Sequence, residues 1–324
     1  MDFELPDDLI AQTPAQPRDA AKLLVYDRKT KQITDAVFRD LPSFLPENTT
    51  LVVNDSKVEK CRLRFGAQEL FVLQTHNPTT VTAMVRPGKK FKLGKTVMLA
   101  DDFSALVTAI DDDGLRTLSL SLPIDDPFLA TYKETPFPPY IQPNELMASE
   151  YQTVYANEPG SKAAPTAGLH FTEELLSKIK QLHAVVTITL EVGLGTFASL
   201  KPENLQQGRL HEEKYRISDT SAAQLNQATN ITAVGTTSVR ALESYRRDHE
   251  KFEEASETTD IFIQPGFTFK AVDQLITNFH LPGTSLLYLV SAFIGSEQEL
   301  QRIYEHAIAQ QYRFYSFGDA MLII

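Results

Sequence analysis

The spacing of apolar positions changes character twice along this chain. Residues 22–27 (KLLVYD) and 50–54 (TLVVN) are short, nearly continuous apolar runs, which predicts buried strands, with a helical pattern over 40–45 between them. From about residue 69 to 122 the sequence becomes a string of β-rich runs: ELFVLQT, TVTAMVR, KTVMLA, SALVTAI and LRTLSLSL. Asn77-Pro78, Pro87-Gly88 and Asp113-Gly114 punctuate them as turns. Short strands at this spacing, with no helix between them, predict a small antiparallel barrel or sandwich.

A proline-rich connection, Pro136-Phe137-Pro138-Pro139-Tyr140 to Pro143, closes that region. Beyond it, helical and strand patterns alternate to the end. Helices are predicted over 172–182, with Thr172 as N-cap, over 218–228, capped by Ser218 or Asp219, and over 237–247, 285–294 and 297–310. Strands are predicted over 185–192, 231–235, 260–263 and 275–278, and the glutamate-rich stretch 251–259 is expected to be a solvated loop. Such alternation implies an α/β fold: a mostly parallel sheet covered by helices and built from both chain ends, residues 1–63 and 149–324, with a small β-barrel domain inserted over 64–148.

Composition narrows this picture. With 324 residues the chain is long enough for two domains, and 42% hydrophobic with 23% charged residues is an ordinary globular balance. A net charge of −11 argues against a general nucleic-acid coat, although a local positive face can still dock a polyanion. Arg86, Lys89, Lys90, Lys92 and Lys95 form such a cluster inside the β-rich region, and Lys57, Lys60, Arg62 and Arg64 precede it. Cys61 is the only cysteine, which leaves no internal disulfide and no thiolate zinc site. The N-terminal segment is acidic and no apolar run approaches the ~20 residues of a membrane span. These features together predict a cytoplasmic protein.

Chemistry concentrates where predicted strands run into polar or glycine-containing loops: Asn54-Asp55-Ser56-Lys57, Glu191-Val192-Gly193-Leu194-Gly195-Thr196-Phe197, Gly235-Thr236-Thr237-Ser238-Val239-Arg240 and Asn278-Phe279-His280. A further loop, Ala164 to Phe171, carries Thr166, Gly168 and His170. In open α/β sheets ligands bind beyond the carboxyl ends of the strands, where such loops meet. From Gln274 to Ser296 there is no Asp, Glu, Lys or Arg, so Asn278, His280, Thr284 and Ser285 interrupt an uncharged segment. Gly193-x-Gly195 lacks the third glycine of a dinucleotide fingerprint, and Arg240 with Glu243 is consistent with a surface pair. No histidine spacing suits a metal, and there is neither a Walker loop nor a G-x-S-x-G elbow.

At these residues the chain resembles the S-adenosylmethionine:tRNA ribosyltransferase-isomerase family of queuosine biosynthesis. The resemblance spans nearly the whole chain. It is carried by Asn54 to Val58, Pro138-Pro139-Tyr140-Ile141, Tyr151 to Tyr155, Ala163 to Phe171, Val192 to Phe197, His211-x-Glu213-x-Tyr215, Ala233 to Ser244, Phe262 to Phe267, Asn278 to Pro282 and Tyr312 to Met321. It implies an enzyme that transfers and isomerises the ribosyl part of S-adenosylmethionine onto 7-aminomethyl-7-deazaguanine at the tRNA wobble position, giving epoxyqueuosine-tRNA, adenine and methionine.

Read onto this sequence, the resemblance implies His170, Glu191, His211 and His280 as acids and bases. Asn54, Asp55, Thr166, Gly168, Phe171, Gly193, Gly195, Thr196, Thr236, Thr237, Ser238, Arg240, Glu243, Asn278 and Phe279 are the implied substrate-binding set. Within it, Arg240 or a helix N-terminus would hold the methionine carboxylate, and Phe171, Phe197 and Phe279 would stack on bases. Arg86, Lys89, Lys90, Lys92 and Lys95 would meet the tRNA. Glu191 stands where the family commonly has histidine, Glu59-Lys60-Cys61 replaces an Ile-Pro-Ala type segment, and the hairpin near Gly66 is short. The expected partners are tRNA and S-adenosylmethionine, consumed as co-substrate, with no metal, no membrane and a monomeric chain. The competing readings are a non-catalytic tRNA- or nucleotide-binding relative with a decayed site, and an enzyme using S-adenosylmethionine on another substrate.

Overall fold

Leu23 and Val25 pack in one apolar cluster and Leu24 and Tyr26, on the same strand, in another; Leu51 and Val53 are likewise separated from Val52. Strands that bury both faces need a layer on each side. The computed structural model, which describes residues 3–142, 147–193, 200 and 202–324, supplies both. The chain divides into two compact units, one formed by Met1–Lys57 with Pro138–Ile324 and the other by Val58–Phe137.

The first unit begins with β1 (Lys22–Tyr26), β2 (Ile33–Val37), β3 (Thr50–Asn54) and β4 (Ser56–Val58). The second contains β5 (Arg62–Phe65), β6 (Gln68–Asn77), β7 (Thr80–Arg86), β8 (Thr96–Ala100), β9 (Phe103–Ile110), β10 (Arg116–Leu120) and β11 (Lys133–Glu134). The first unit then resumes with β12 (Glu158–Ser161), α1 (Glu173–Leu182), β13 (Ala184–Leu190), α2 (Pro202–Gln207), β14 (Arg209–Ile217), α3 (Asp219–Gln227) and β15 (Ile231–Val234). It closes with α4 (Thr236–Asp248), β16 (Ala255–Ile261), β17 (Gln274–Asn278), α5 (Ser285–Ile294), α6 (Glu297–Ala309) and β18 (Ala320–Ile323).

The large sheet runs β16-β14-β13-β3-β15-β17-β18-β1-β2, so strands from both chain ends lie side by side. It is mixed rather than mostly parallel. The β13–β3, β3–β15, β15–β17 and β18–β1 ladders are parallel, while β16–β14, β14–β13, β17–β18 and β1–β2 are antiparallel. Parallel neighbours need a long crossover, which the helix-bearing connections supply for β3, β13, β15 and β17 and the length of the chain supplies for β1 and β18. Residues 251–254 of the glutamate-rich stretch are loop as expected, but the edge strand β16 starts at Ala255, ahead of the strand expected over 260–263; an edge tolerates outward charge, and charge there blocks further pairing.

Residues of α3, α4, α5 and α6 pack with Leu24, Val52 and Ala233 in the larger cluster. Residues of α1 and of a 3-10 turn, Phe38–Ser43, pack with Leu23, Leu51 and Ile276 in the other. That 3-10 turn replaces the helix expected over 40–45, and Pro42 inside it has no N–H to give to a longer one. Side chains of Thr172, Ser218 and Ser296 cap α1, α3 and α6, each worth about 1 kcal/mol.

The second unit is a seven-stranded antiparallel sheet in the order β11-β5-β6-β7-β10-β9-β8. Among the described residues its end strands, β11 and β8, are not paired with one another, so the small antiparallel barrel or sandwich expected here is a half-barrel. Gln68 Nε2 reaches the Met98 carbonyl at 3.2 Å, so the start of β6 curls toward β8 over a core containing Phe65, Phe91 and Phe103. Because β5 is hydrogen-bonded to β6, residues before 64 go with this sheet.

Candidate active site

Strands β15 and β17 are parallel neighbours and end at Val234 and Asn278. The loops that leave them open at one end of the sheet, and a cavity of about 180 Å³ lies there. Gly235, Thr236 and Thr237 line it from the start of α4, and Thr277 to Leu281 from the end of β17. Ala164 to Ala167, Pro139-Tyr140, Tyr315-Ser316, Val192, Thr284 and Leu286 complete the wall. None of these lining residues is Asp, Glu, Lys or Arg, and apart from Asn278 and His280 the polar ones are Ser, Thr and Tyr.

Asn278 organises the polar wall. Its Oδ1 accepts from the Thr166 hydroxyl at 3.0 Å and its Nδ2 lies 3.1 Å from His170 Nε2. With Oδ1 spent on Thr166, the amide N–H faces the imidazole, so Nε2 accepts and the ring is neutral with its proton on Nδ1. Burial agrees, pulling the His170 pKa down to about 4. His170 itself is 4% exposed, packs against Phe38 with the rings tilted and their centroids 5.0 Å apart, and does not line the cavity. It stands behind Asn278, outside the lining.

His280 does line the cavity. Its Nε2 is 2.8 Å from the Thr277 hydroxyl, its backbone N–H donates to Tyr304 at 3.0 Å, and burial pulls its pKa down to about 3. Both loop histidines are therefore neutral at pH 7. Opposite, the Tyr140 and Tyr315 rings lie 4.1 Å apart, and the Tyr140 hydroxyl meets Ser316 at 2.7 Å. Burial raises both phenols, Tyr315 to about 12, so they stay protonated. Tyr315 holds a φ of 73°, a left-handed conformation unusual for a side-chain-bearing residue and the kind of local strain that clusters at functional sites.

The remaining sequence-based candidates divide sharply. Thr166, Thr236, Thr237, Asn278 and Phe279 line the cavity together with His280. Asn54 does not: its amide accepts from Leu190 N and Ser56 N and donates to the Leu190 carbonyl, clamping β3 to β13. Asp55 accepts from Thr189 at 2.7 Å away from the lining, and burial raises its pKa. Gly168 is small by necessity, since a Cβ there would lie 1.9 Å from the Tyr155 hydroxyl. Phe171 is wholly buried edge-on to Phe38, a core residue and not a stacking platform. Phe279 touches the cavity but is held among Tyr304, Tyr312 and Phe314.

Arg240 and Glu243 are not a surface pair; both are buried. Arg240 pairs with Glu213 from β14, whose other oxygen accepts from Gly193 N at 3.1 Å. Glu243 accepts the backbone N–H groups of Lys270, Ala271 and Val272, pinning the chain ahead of β17. Ser238 turns its hydroxyl back to the Val234 carbonyl. His211 is exposed on β14, and Glu191 lies against Gly160, with Val192 rather than Glu191 reaching the cavity. Gly195, Thr196 and Phe197 lie outside the described residues. Thr284, one of the polar residues of the uncharged run, lines the cavity while Ser285 does not, and Tyr140, Thr277, Tyr315 and Ser316 line it without having been named as site candidates.

Among the described residues, no group of three His, Cys, Asp or Glu side chains is placed to hold a metal, and no helix is long and apolar enough to cross a membrane. Arg86, Lys89, Lys90, Lys92 and Lys95 are all exposed on the half-barrel. Arg62 and Arg64, by contrast, are engaged by Glu69 and Glu134 at 3.3–3.5 Å.

The sequence model of the family described as queuosine biosynthesis protein matches residues 1–323. The S-adenosylmethionine:tRNA ribosyltransferase-isomerase of Thermotoga petrophila is 44% identical over 333 residues, covering 100% of this chain and 98% of that protein. The protein of the same name from Desulfitobacterium hafniense is 43% identical over 336 residues, with the same coverage. Among solved structures, the S-adenosylmethionine tRNA ribosyltransferase of Thermotoga maritima superposes with a TM-score of 0.58 at 35% identity, covering 100% of this chain and 99% of its own. On that whole-length match the chain belongs to the queuosine biosynthesis protein family, that of the S-adenosylmethionine:tRNA ribosyltransferase-isomerases.

Proposed function

We propose that this protein transfers the ribosyl group of S-adenosylmethionine to the aminomethyl group of 7-aminomethyl-7-deazaguanine at the wobble position of tRNA and isomerises it. The products are epoxyqueuosine-tRNA, adenine and methionine. The observation that carries this reading is the family match over residues 1–323, which takes in every wall of the uncharged cavity at the ends of β15 and β17.

The walls suit the co-substrate. Tyr140 and Tyr315 offer π faces to the sulfonium and to adenine. His280 enters neutral, so it can accept a proton from the carbon beside the sulfonium but cannot deliver one as imidazolium. Asn278, fixed by Thr166 and His170, orients the ligand. The tRNA docks on the exposed run from Arg86 to Lys95, because the alternative basic group is partly neutralised by Glu69 and Glu134. The reaction takes place in the cytoplasm and needs no metal, and the chain acts as a monomer.

Incubation with S-adenosylmethionine and tRNA bearing the aminomethyl base, followed by nucleoside mass spectrometry, tests the reading. Epoxyqueuosine with stoichiometric adenine and methionine is expected. Unchanged tRNA nucleosides with intact S-adenosylmethionine would refute it.

A further inference from the structure

The amino-terminal end of α4 opens on the cavity without a cap. Gly235 occupies the N-cap position with a φ of 87° and contributes no side chain, and no acidic residue lies in the first turn. The N–H groups of the first turn have no carbonyl partner within the helix and carry its positive end. Ser238, which might have capped them, bonds the Val234 carbonyl at 2.8 Å instead.

A second observation points the same way. Thr237 is 6% exposed and lines the cavity, and its hydroxyl oxygen is buried with no hydrogen-bond partner. A buried hydroxyl left unpaired is destabilising, so it is a group awaiting a partner. A Cβ at Gly235 would sit 3.3 Å from that oxygen, so glycine keeps the approach open. Among the described residues the lining holds neither a carboxylate to compete nor an Arg or Lys to substitute. Arg240, one helical turn further along α4, pairs through Nη1 with Glu213 and lies outside the lining, as do Arg246 and Arg247 in the last turn.

We infer that the first turn of α4, with the Thr237 hydroxyl as a side-chain donor, binds the carboxylate of the methionyl end of S-adenosylmethionine. The inference rests on S-adenosylmethionine being the co-substrate. Its carboxylate is the one anionic group that ligand carries, and a helix N-terminus is an anion site. A tRNA phosphate is the other possible anion; the buried position of Thr237 in a cavity of about 180 Å³ favours the small molecule.

Titration calorimetry with S-adenosylmethionine and with its decarboxylated analogue, on the full-length protein, tests this. The parent compound is expected to bind the wild type about ten- to hundredfold more tightly, the range for hydrogen bonds to a charged group. In Thr237→Val that preference should shrink by about tenfold while the analogue's affinity stays within about twofold, and Thr237→Ser should restore it. Equal wild-type affinity for the two compounds, equal weakening of both by Thr237→Val, or a loss of tRNA affinity instead would overturn the inference alone. If neither compound binds the wild type, the co-substrate reading falls as well.

Discussion

Asn278→Asp is the sharpest probe of the polar wall, because it replaces an N–H facing His170 by a carboxylate oxygen of the same shape. In the wild type burial holds the imidazole at a pKa of about 4. A carboxylate at the same 3.1 Å would attract an imidazolium by about 5 kcal/mol at an effective dielectric of about 20. At 1.36 kcal/mol per unit this raises His170 by about four units, to about 8. The stability consequence changes sign. Wild-type His170 lies below the ~6.5 of an unfolded histidine, so the unfolded chain gains a proton first and stability drains as pH falls from about 6.5 to about 4. In the variant the contribution is fully present below about 6.5 and is lost as pH rises through about 8. Carbon-detected titration of the histidine Cε1 resonances, assigned with a His170→Gln control, reads both pKa values directly. Wild-type His170 should show no transition above pH 5, and the variant should titrate near 8. A wild-type transition near 6.5, or no movement in the variant, would refute the proposed proton arrangement.

Three other expectations follow from the same geometry. The wild-type pH–rate profile should lack a histidine break near 6.5, because His280 is neutral until the pH approaches about 3, while His280→Ala should lower turnover by about 10²–10⁴-fold. Glu191→Ala should keep its single-turnover rate within about threefold, since Glu191 lies on Gly160; a loss in the 10²–10⁴-fold range of general acid–base groups would return it to the site. Changing Lys89, Lys90 and Lys92 to Ala should lower the log–log salt slope of tRNA binding by about two to three, at 0.7–0.9 per lost phosphate contact, and leave S-adenosylmethionine affinity unchanged; an unaltered slope in filter binding would put the docking face elsewhere.

The parts of the fold that bury an apolar face were legible along the chain. Strand β3 and helix α5 occur where the spacing predicts them, and Thr172 and Ser218 cap the helices they precede. Strand β14 and all but the end of β16 were not, because they carry His211, Glu212, Glu257 and other polar side chains outward, and the period-two signal drowns in charge. Within the site, an uncharged loop marked out His280 and Asn278 correctly as cavity residues. It could not reveal that Asn278 stands between His170 and the cavity, which depends on a contact spanning 108 positions. Arg240 reads as half of a local pair until Glu213, 27 positions away, takes it. Tyr140 and Tyr315 meet only because two distant segments converge on one strand end, a fact of tertiary structure with no local spacing to announce it.

The lack of any carboxylate in the described lining has a kinetic meaning if the bound cation is a sulfonium. Methionine departs as a neutral thioether, so the positive sulfur is a property of the ground state that fades as the carbon–sulfur bond breaks. A fixed anion beside it would stabilise the bound substrate more than the transition state, which tightens binding and slows the step. Leu286 allows this to be tested, because it lines the cavity and is the second residue of α5, where an acidic side chain complements the helix dipole. Leu286→Glu should therefore fold, bind S-adenosylmethionine about three- to tenfold more tightly, and lower the single-turnover rate by at least the same factor, since binding gained in the ground state alone is lost from the barrier. Calorimetry gives the first quantity and rapid-quench nucleoside analysis the second. A tighter variant with an undiminished rate would mean that the charge on sulfur persists into the transition state, and the uncharged wall would then have no part in the rate.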